Sequence, residues 1–583
     1  MTESLFSPLK YYKTEGRRLY AENASQLFEE LVQRSGIDAE ANLAAAKRCE
    51  ELLVHCRKLK GRRTLFLLGC AGCLLPVGLG ITALLLSDKS VWFPPGGIVL
   101  ILAGAIPFFS TLLPGFRSTR DQLAEARMSA QQCKNQAADL LAPLDQQFTP
   151  RDSINLFQQT VPGFSFLDRF TPVHRACLQT FGFRETSDDS SSVLNTLAGT
   201  FNGNPFLFAT KRICSMNDVT YTGSTTIHWE EKERKRVTKT RTVTDRKGNQ
   251  HEETYHEWEY VTVEKSETLH AEYTAPKPCY VTHTDLCYGH HAAPELSFSR
   301  KPGNSHKLSK PALQTRVRSG EQKLIRKGTL ALERNEDYTP MVNETFDVLF
   351  GAQDRNNSHQ FLQLFTPMAQ ENTVALLTDD TLGGDVFTFR KNNLLNTVSC
   401  PDTLLEPSPV HYHDHSLEKV REQFLAHHTS RFRAMFACFA PLLAIPAYQS
   451  PPLVQHTCDP VSNSNFTLYE HESIANAFPA ALVAPAKCNT QTIRKTEFLS
   501  AADGADLVRI HTYGFKSRLR TETCRVRGGD GHYHDVDVDW TEYIPVSKTT
   551  TISIRPAVPG CTPTDESDTV CLHNLSAKII PSS

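Results

Sequence analysis

The residues best suited to chemistry are two short histidine clusters. His411, His413 and His415 alternate in the run HYHDH, and HYHD returns at His532, Tyr533, His534 and Asp535, followed by Val-Asp-Val-Asp. Alternate residues of a strand share one face, and imidazoles so placed can bind zinc or copper. His411, His413, His415, His532 and His534 are therefore the candidate ligands of a transition metal such as zinc, if the two clusters meet. The alternative is a pair of solvated loops, because prolines flank the first cluster just ahead of a helical pattern. His283, His290 and His291 lie near Cys279 and Cys287, but no Cys-x-x-Cys pair there supports a structural zinc.

Other chemistry is not selected. There is no Walker loop, no Gly-x-Gly-x-x-Gly after a strand and no Gly-x-Ser-x-Gly elbow. Ser, His and Asp residues are plentiful, yet no spacing picks out a triad. The expectation is no catalytic and no cofactor-binding residue. Cys70 and Cys73 do form a Cys-x-x-Cys, but inside TLFLLGCAGCLLPVGLGITALLL, Thr64 to Leu86, where nothing is charged. A reactive thiolate needs water or positive charge nearby. In an apolar run the thiols instead pack as small hydrophobes, accompanied by Gly69, Gly72, Gly78 and Gly80, which let helices approach closely.

The elements that would position these residues start with that run. Its 23 residues could reach about 35 Å as a helix, against about 30 Å of hydrocarbon. A second uncharged run ends at Phe116, and SDKSVWFPPG between them sets Trp92 and Phe93 at an interface and Pro94-Pro95 at the turn. The first run begins too far into the chain for a signal peptide. Two spans make a hairpin with both ends on one side. Arg57, Lys58, Lys60, Arg62 and Arg63 precede it, Arg117, Arg120 and Arg127 follow it, and the turn holds only Lys89. The positive-inside rule then makes both termini cytoplasmic.

Helical periodicity continues on both flanks. Ala45, Cys49, Leu52, Cys56 and Leu59 step by 4, 3, 4, 3, and Leu123, Ala126, Ala130, Cys133, Ala137, Leu140 and Leu144 continue the alternation. Heptad seams on two antiparallel arms predict a coiled-coil stalk; two separate amphipathic helices docked on the later region are the alternative. A further helix, about Arg18 to Arg34, ends at Ser35-Gly36.

From about Thr149 the pattern changes. TPRDSINLFQQT and FLDRFTPVHRACLQTF read as short helices. Two Thr-rich alternating segments then meet at a hairpin turn, Asp245 to Asn249. RTVT (Arg241–Thr244) and RTET (Arg520–Thr523) each precede a Gly turn, with Trp258 and Trp540 beyond, and YTGS and TYGF upstream. This reads as a degenerate repeat of one β unit. FDVLFGAQDRNNSHQFLQLFTPMAQENTVALL reads as strand, turn and helix. The segment from Ser416, a plausible N-cap, to Tyr448 reads as one long helix whose apolar end is buried or lies on a membrane surface. EEKERKRVTKTR, Glu230 to Arg241, reads as a solvated strand face, the alternative being a contact with phospholipid headgroups or an acidic partner.

The expected fold class is α+β: a transmembrane helical hairpin with an antiparallel coiled-coil stalk, then a β-rich α+β cytoplasmic region with two β units that read as repeats. The expected boundaries are 1–63 for the first helical arm, 64–86 and 98–116 for the spans, 87–97 for the extracytoplasmic turn, 117–148 for the return arm, and 149–340 and 341–583 for two cytoplasmic units. The net charge of −2 over 583 residues gives no global field for nucleic acid. Sixteen cysteines without paired spacing read as free thiols in a reducing compartment.

The hairpin, the FDVLFGAQDRN…FTPMAQ segment and the YTGS…W segment resemble uncharacterised bacterial two-span inner-membrane proteins with a C-terminal cytoplasmic domain of unknown function. The resemblance implies a multi-pass protein of the inner membrane and carries over no catalytic residue. The expected role is a membrane-anchored cytoplasmic interaction or scaffold protein. Its partners would be the lipid bilayer and other membrane or cytoplasmic proteins, not nucleic acid. The alternatives are a metal-dependent membrane-anchored enzyme using the histidine clusters, or a subunit of a transport or envelope complex.

Overall fold

The computed structural model describes residues 3–85, 93–186, 188–244, 250–400, 411–412, 414–452, 463–557, 568–572 and 574–580. The chain forms two compact units, Met1–Phe164 with Pro407–Ala437, and Ser165–Glu406 with Cys438–Ser583. Its class is α+β, with two long apolar helices followed by a β-rich region of two sheets.

The first unit is helical. α1 (Pro8–Tyr11) and α2 (Arg17–Ser35) come first, and α2 stops where expected, at Gly36, whose φ of +64° suits a residue without Cβ. α3 (Ala39–Leu85) runs unbroken for 47 residues. α4 (Phe93–Pro107) passes through a π-helical turn, Phe108–Leu112, into α5 (Leu113–Asp139). α6 (Ala142–Asp145) and α7 (Asp152–Thr160) follow.

α3 and α5 lie antiparallel. Asn42 reaches the Ala137 carbonyl, the Cys133 thiol the Ala45 carbonyl and the Cys49 thiol the Ala130 carbonyl, and Leu59 packs on Leu123 and Ala126. Partner numbers fall on one helix as they rise on the other. The pairing continues into the apolar stretches. A Cβ on Gly115 would lie 2.6 Å from the Phe66 ring, and one on Gly104 2.7 Å from the Cys73 carbonyl oxygen. Small residues thus set the separation of the helices. Leu140 falls beyond the end of α5 and is 39% exposed rather than on the seam.

Both apolar stretches are long enough to cross a membrane. Little of either apolar stretch is buried, about 6% of each. Leu65, Leu75 and Leu79 are 70%, 71% and 63% exposed. In water each would forgo about 1.5–3 kcal/mol of burial. Lys89 and Trp92 lie outside the described residues.

The second unit begins its strands with β1 (Phe164–Phe166), followed by α8 (Pro172–Thr180), β2 (Ser191–Phe201), β3 (Asn204–Thr244), β4 (Gln250–Gly289) and β5 (Ser297–Arg300). α9 (Lys310–Arg334), α10 (Glu344–Phe350), α11 (Ser358–Leu364) and α12 (Pro367–Thr378) precede β6 (Thr388–Asn392) and β7 (Leu395–Cys400). The sheet order is β1-β2-β3-β4-β7-β6-β5. α13 (Leu417–Leu443) belongs to the first unit up to Ala437 and to the second from Cys438. α14 (Leu468–Ala477) and α15 (Ala480–Val483) then lead to β8 (Ile493–Ala502), β9 (Ala505–Arg527), β10 (Tyr533–Pro556), β11 (Thr569–Leu572) and β12 (Leu575–Ile580), ordered β11-β12-β10-β9-β8.

Several expectations change. FDVLF is helix, not strand. Asn343 caps it by accepting the Phe346 N–H, Gly351 ends it at φ +74°, and Asp347 is held by Arg355. The 25-residue α9 was not foreseen. The apolar end of α13 and the two residues after it are buried throughout, from Cys438 to Ile445. Thirteen described cysteines are free, but Cys571 is disulfide-bonded, so the expectation of thiols alone fails there.

The two long hairpins, β3–β4 and β9–β10, stack face to face. Ile227, Leu269 and Ala271 meet Val536 and Val538, and the Asp537 carbonyl occupies the place where Gly223 would carry a Cβ. Their proposed equivalences do not keep register: Arg520 faces Trp540, whereas Arg241 faces Glu253 and Trp258 faces Arg236. The first hairpin continues beyond this contact. No residue from 230 to 242 or from 252 to 268 is buried. At about 3.3 Å per residue the free ribbon extends about 40 Å. The turn 245–249 lies outside the described residues.

Candidate functional site

The first histidine cluster lies on no strand. Residues 411, 412 and 414–416 are irregular and lead into α13; His413 is outside the described residues. His411 Nδ1 sits 2.8 Å from Asp145 Oδ2. Tyr412 is buried, edge-on to Phe148 at 4.8 Å. Asp414 accepts the N–H groups of His415 and Ser416 at 2.8 and 3.1 Å, and lies 3.0 Å from His415 Nδ1. Ser416 occupies the N-cap position, its carbonyl accepting the Val420 N–H. The run therefore organises a helix start: unpaired N–H groups there need acceptors, and Asp414 supplies one.

The second cluster closes the β9–β10 hairpin. Gly528 N–H donates to the His532 carbonyl at 2.8 Å, and Gly531 has φ +83°. Asp530 accepts the His532 N–H at 3.0 Å and sits 2.8 Å from His534 Nε2. The His532 hydrogen bond holds the Asp530 carboxyl below its usual range, with His534 assisting. Glu267 of β4 accepts the Gly529 N–H at 2.6 Å, fixing this tip on the first hairpin.

Each described histidine of the two clusters thus has its own neighbouring aspartate or turn. Among the described residues no three His, Cys, Asp or Glu side chains gather as a metal-ligand set. His283 Nε2 lies 3.5 Å from Asp285. His290 is buried, its Nδ1 accepting the Ala292 N–H, and burial lowers its pKa to about 4. Burial raises the Cys287 thiol to about 12, so it is not a thiolate at neutral pH.

The densest group of ionisable side chains was missed in the sequence. Glu470, His471 and Glu472 are consecutive on α14, and all are buried. Thr467 and Glu470 form a reciprocal capping box; Arg169 lies 3.3 Å from Glu470. His471 Nε2 is 3.0 Å from Asp506, and Lys495 Nζ 2.6 Å from Glu472. Burial raises the Asp506 carboxyl, but hydrogen bonds from His471, Ser464 and Asn465 outweigh it and hold the group at about 2. Burial lifts Glu470 to about 7, against the pull of Thr467 and Arg169. The sequence signal was Thr-x-x-Glu at a helix start, whose Glu470 opens a run of three ionisable residues that cannot all face away from a core. Their chemistry is mutual: carboxylates and cations satisfy one another inside the unit.

The least committed surface is the free ribbon. Its ion pairs lie on one face: Lys265 with Glu231 and Glu233, Lys239 with Glu257 and Glu259, and Arg241 with Glu253. Cross-strand partners share a face, so the opposite face carries Lys232, Arg234, Arg236, Trp258 and Tyr260. Trp258 and Tyr260 are 57% and 73% exposed, with Arg234 stacked 5.5 Å over the Trp258 ring. Comparisons with protein families, curated proteins and solved structures find no match to this chain.

Proposed function

We propose that this chain is a membrane-anchored interaction scaffold that uses the β3–β4 ribbon to hold a partner. The carrying observation is the free ribbon itself, whose residues 230–242 and 252–268 are all unburied. Two isolated strands are marginal in water, and Trp, Tyr and Arg are the residues that dominate protein interfaces. A partner that covers the Trp258 face would stabilise what the second hairpin leaves uncovered.

The anchor is the pair of apolar helices, read as two spans of a bacterial inner membrane with both termini cytoplasmic. The basic flanks, Arg57 to Arg63 and Arg117 to Arg127, favour that orientation, as do the thirteen free cysteines among the described residues; the Cys571 disulfide argues the other way. The paired arms are read as a coiled-coil stalk, and the two hairpin sheets as copies of one β unit whose strand registers differ.

The test is the size of the complex in mild detergent. The intact chain should elute with another protein, and a variant lacking residues 232–262 should elute alone while keeping the stacked hairpins folded. A solitary monomer from both would overturn the scaffold reading.

A further inference from the structure

On the paired arms α3 and α5 a groove of about 360 Å³ opens. Leu53, Cys56, Arg57 and Lys60 line it from α3, and Arg127, Ala130, Gln131 and Lys134 from α5. Each set follows i, i+3, i+4, i+7, the spacing of one helix face. The two faces therefore meet along their length. Leu53, Cys56 and Ala130 supply an apolar floor, and cations from both helices supply the rim.

No acid lines this groove. From Leu52 to Thr64 α3 carries none at all; of the acids on α5, Asp121 pairs with Arg120, and Glu125 and Asp139 lie outside the groove's lining. Arg63 is placed differently, over the Phe116 ring at 5.6 Å. The positive-inside tendency asks for cations near the ends of a span. It does not ask that those of two separate segments converge on one side of the pair. Four like charges around a shallow apolar floor repel one another, and a compact multivalent anion between them would remove that repulsion.

We propose that this groove binds a phosphate-bearing polyanion. Arginine recognises phosphate oxygens in pairs, and lysine adds point charge. The anion has two possible sources, an anionic lipid headgroup or a soluble phosphorylated molecule. Lys60 lies one turn before Thr64, about 6 Å along the helix axis, which is headgroup depth if the apolar stretch spans. The inference rests on the pairing of the arms; only its lipid source rests on the membrane reading, and it is independent of the ribbon.

The experiment uses the full chain. In phosphatidylcholine nanodiscs at low salt, inorganic pyrophosphate is titrated by calorimetry; in detergent, retained phosphatidylglycerol is compared with phosphatidylcholine by native mass spectrometry. The variant is Arg57→Gln/Lys60→Gln/Arg127→Gln/Lys134→Gln, and the control is Lys58→Gln/Arg62→Gln/Arg117→Gln, which removes basic charge outside the groove. Saturable binding should weaken about fivefold per neutralised cation and change less than twofold in the control. Arg57→Lys/Arg127→Lys, which keeps the charge, should retain binding within tenfold and so separates lost charge from lost folding. Retention of phosphatidylglycerol that pyrophosphate displaces identifies a headgroup; pyrophosphate binding alone identifies a soluble ligand. No saturable binding of either probe, or equal loss in groove and control variants, overturns the proposal.

Discussion

The carboxamide of Asn42 accepts the backbone N–H of Leu417 at 3.0 Å, across 375 positions of sequence. Its nitrogen donates to the carbonyls of Ala137 and His415, and the residue is 1% exposed. One side chain thus ties α3, α5 and the start of α13 together, and serves as an N-terminal acceptor supplied from another segment. Asn42→Ala leaves a buried N–H and two carbonyls without these partners. The expected loss is about 2–3 kcal/mol, read as a lower thermal midpoint by circular dichroism in detergent. Asn135→Ala, on the exposed surface of α5, should change it little. Equal midpoints for both variants would show that Asn42 does not hold the three helices.

Lys391 gives a pH signature. It is 1% exposed, its ammonium donates to the Ala292 and Asn393 carbonyls, and burial lowers its pKa to about 7. An unfolded lysine titrates near 10.4. Between those values the unfolded chain holds a proton that the folded chain has released, so stability rises with pH across that window and is level above it. Lys391→Met should remove the rise. Urea midpoints of both proteins at pH 6.5, 8 and 9.5 measure it, and parallel curves would refute the assignment.

Two glycines of the apolar helices should respond in opposite ways. A Cβ on Gly104 meets the Cys73 carbonyl at 2.7 Å and Val77 at the same distance, whereas one on Gly72 meets nothing within 4 Å. A backbone carbonyl cannot swing aside as a side-chain tip can, so Gly104→Ala must part the helices. It should lower the detergent thermal midpoint by several degrees, while Gly72→Ala leaves it unchanged or raises it through helix propensity. The same loss in both would mean that close approach at Gly104 does not set the spacing.

The stacked hairpins depend on Gly223 in the same manner, because the Asp537 carbonyl fills its Cβ position. Gly223→Val should separate the sheets and uncover Trp540, now 5.1 Å from Tyr273. Trp229 packs against the same cluster, so a red-shifted emission and faster acrylamide quenching would report the separation, and in a Trp229→Phe/Trp540→Phe background the added quenching should vanish. Unchanged emission in Gly223→Val would exclude the stacking.

Patterns of a single period were legible in the sequence: the two apolar stretches, the small-residue faces of α3 and α5, the Gly36 stop and the long alternating strands. FDVLF was not, because five apolar residues fit either period and the deciding cap and the Asp347–Arg355 pair are tertiary facts. The two HYHD words suggested shared metal chemistry from identical letters. What they share is an aspartate that gathers N–H groups, Asp414 within one word and Asp530 ahead of the other, so the local turn decides each role. Glu470, His471 and Glu472 carried a local sign, a Thr-x-x-Glu helix start running into consecutive ionisable residues, but their partners Arg169, Asp506 and Lys495 come from separate elements, so the pairing itself could not be read from the sequence.

Cys571 decides the orientation question most directly. Among the described residues thirteen free cysteines favour a reducing compartment, and a disulfide at Cys571 favours an oxidising one. If both termini are cytoplasmic, Cys571 should be a thiol in cells quenched with acid and alkylated before lysis, and should oxidise only after purification. In the same cells a Lys89→Cys variant should react with a membrane-impermeant maleimide from outside, while Cys524, partly buried on β9, should react only after permeabilisation. Cys571 already oxidised in acid-quenched cells, together with an unlabelled Lys89→Cys, would reverse the topology and move the scaffold and its partner to the opposite side of the membrane.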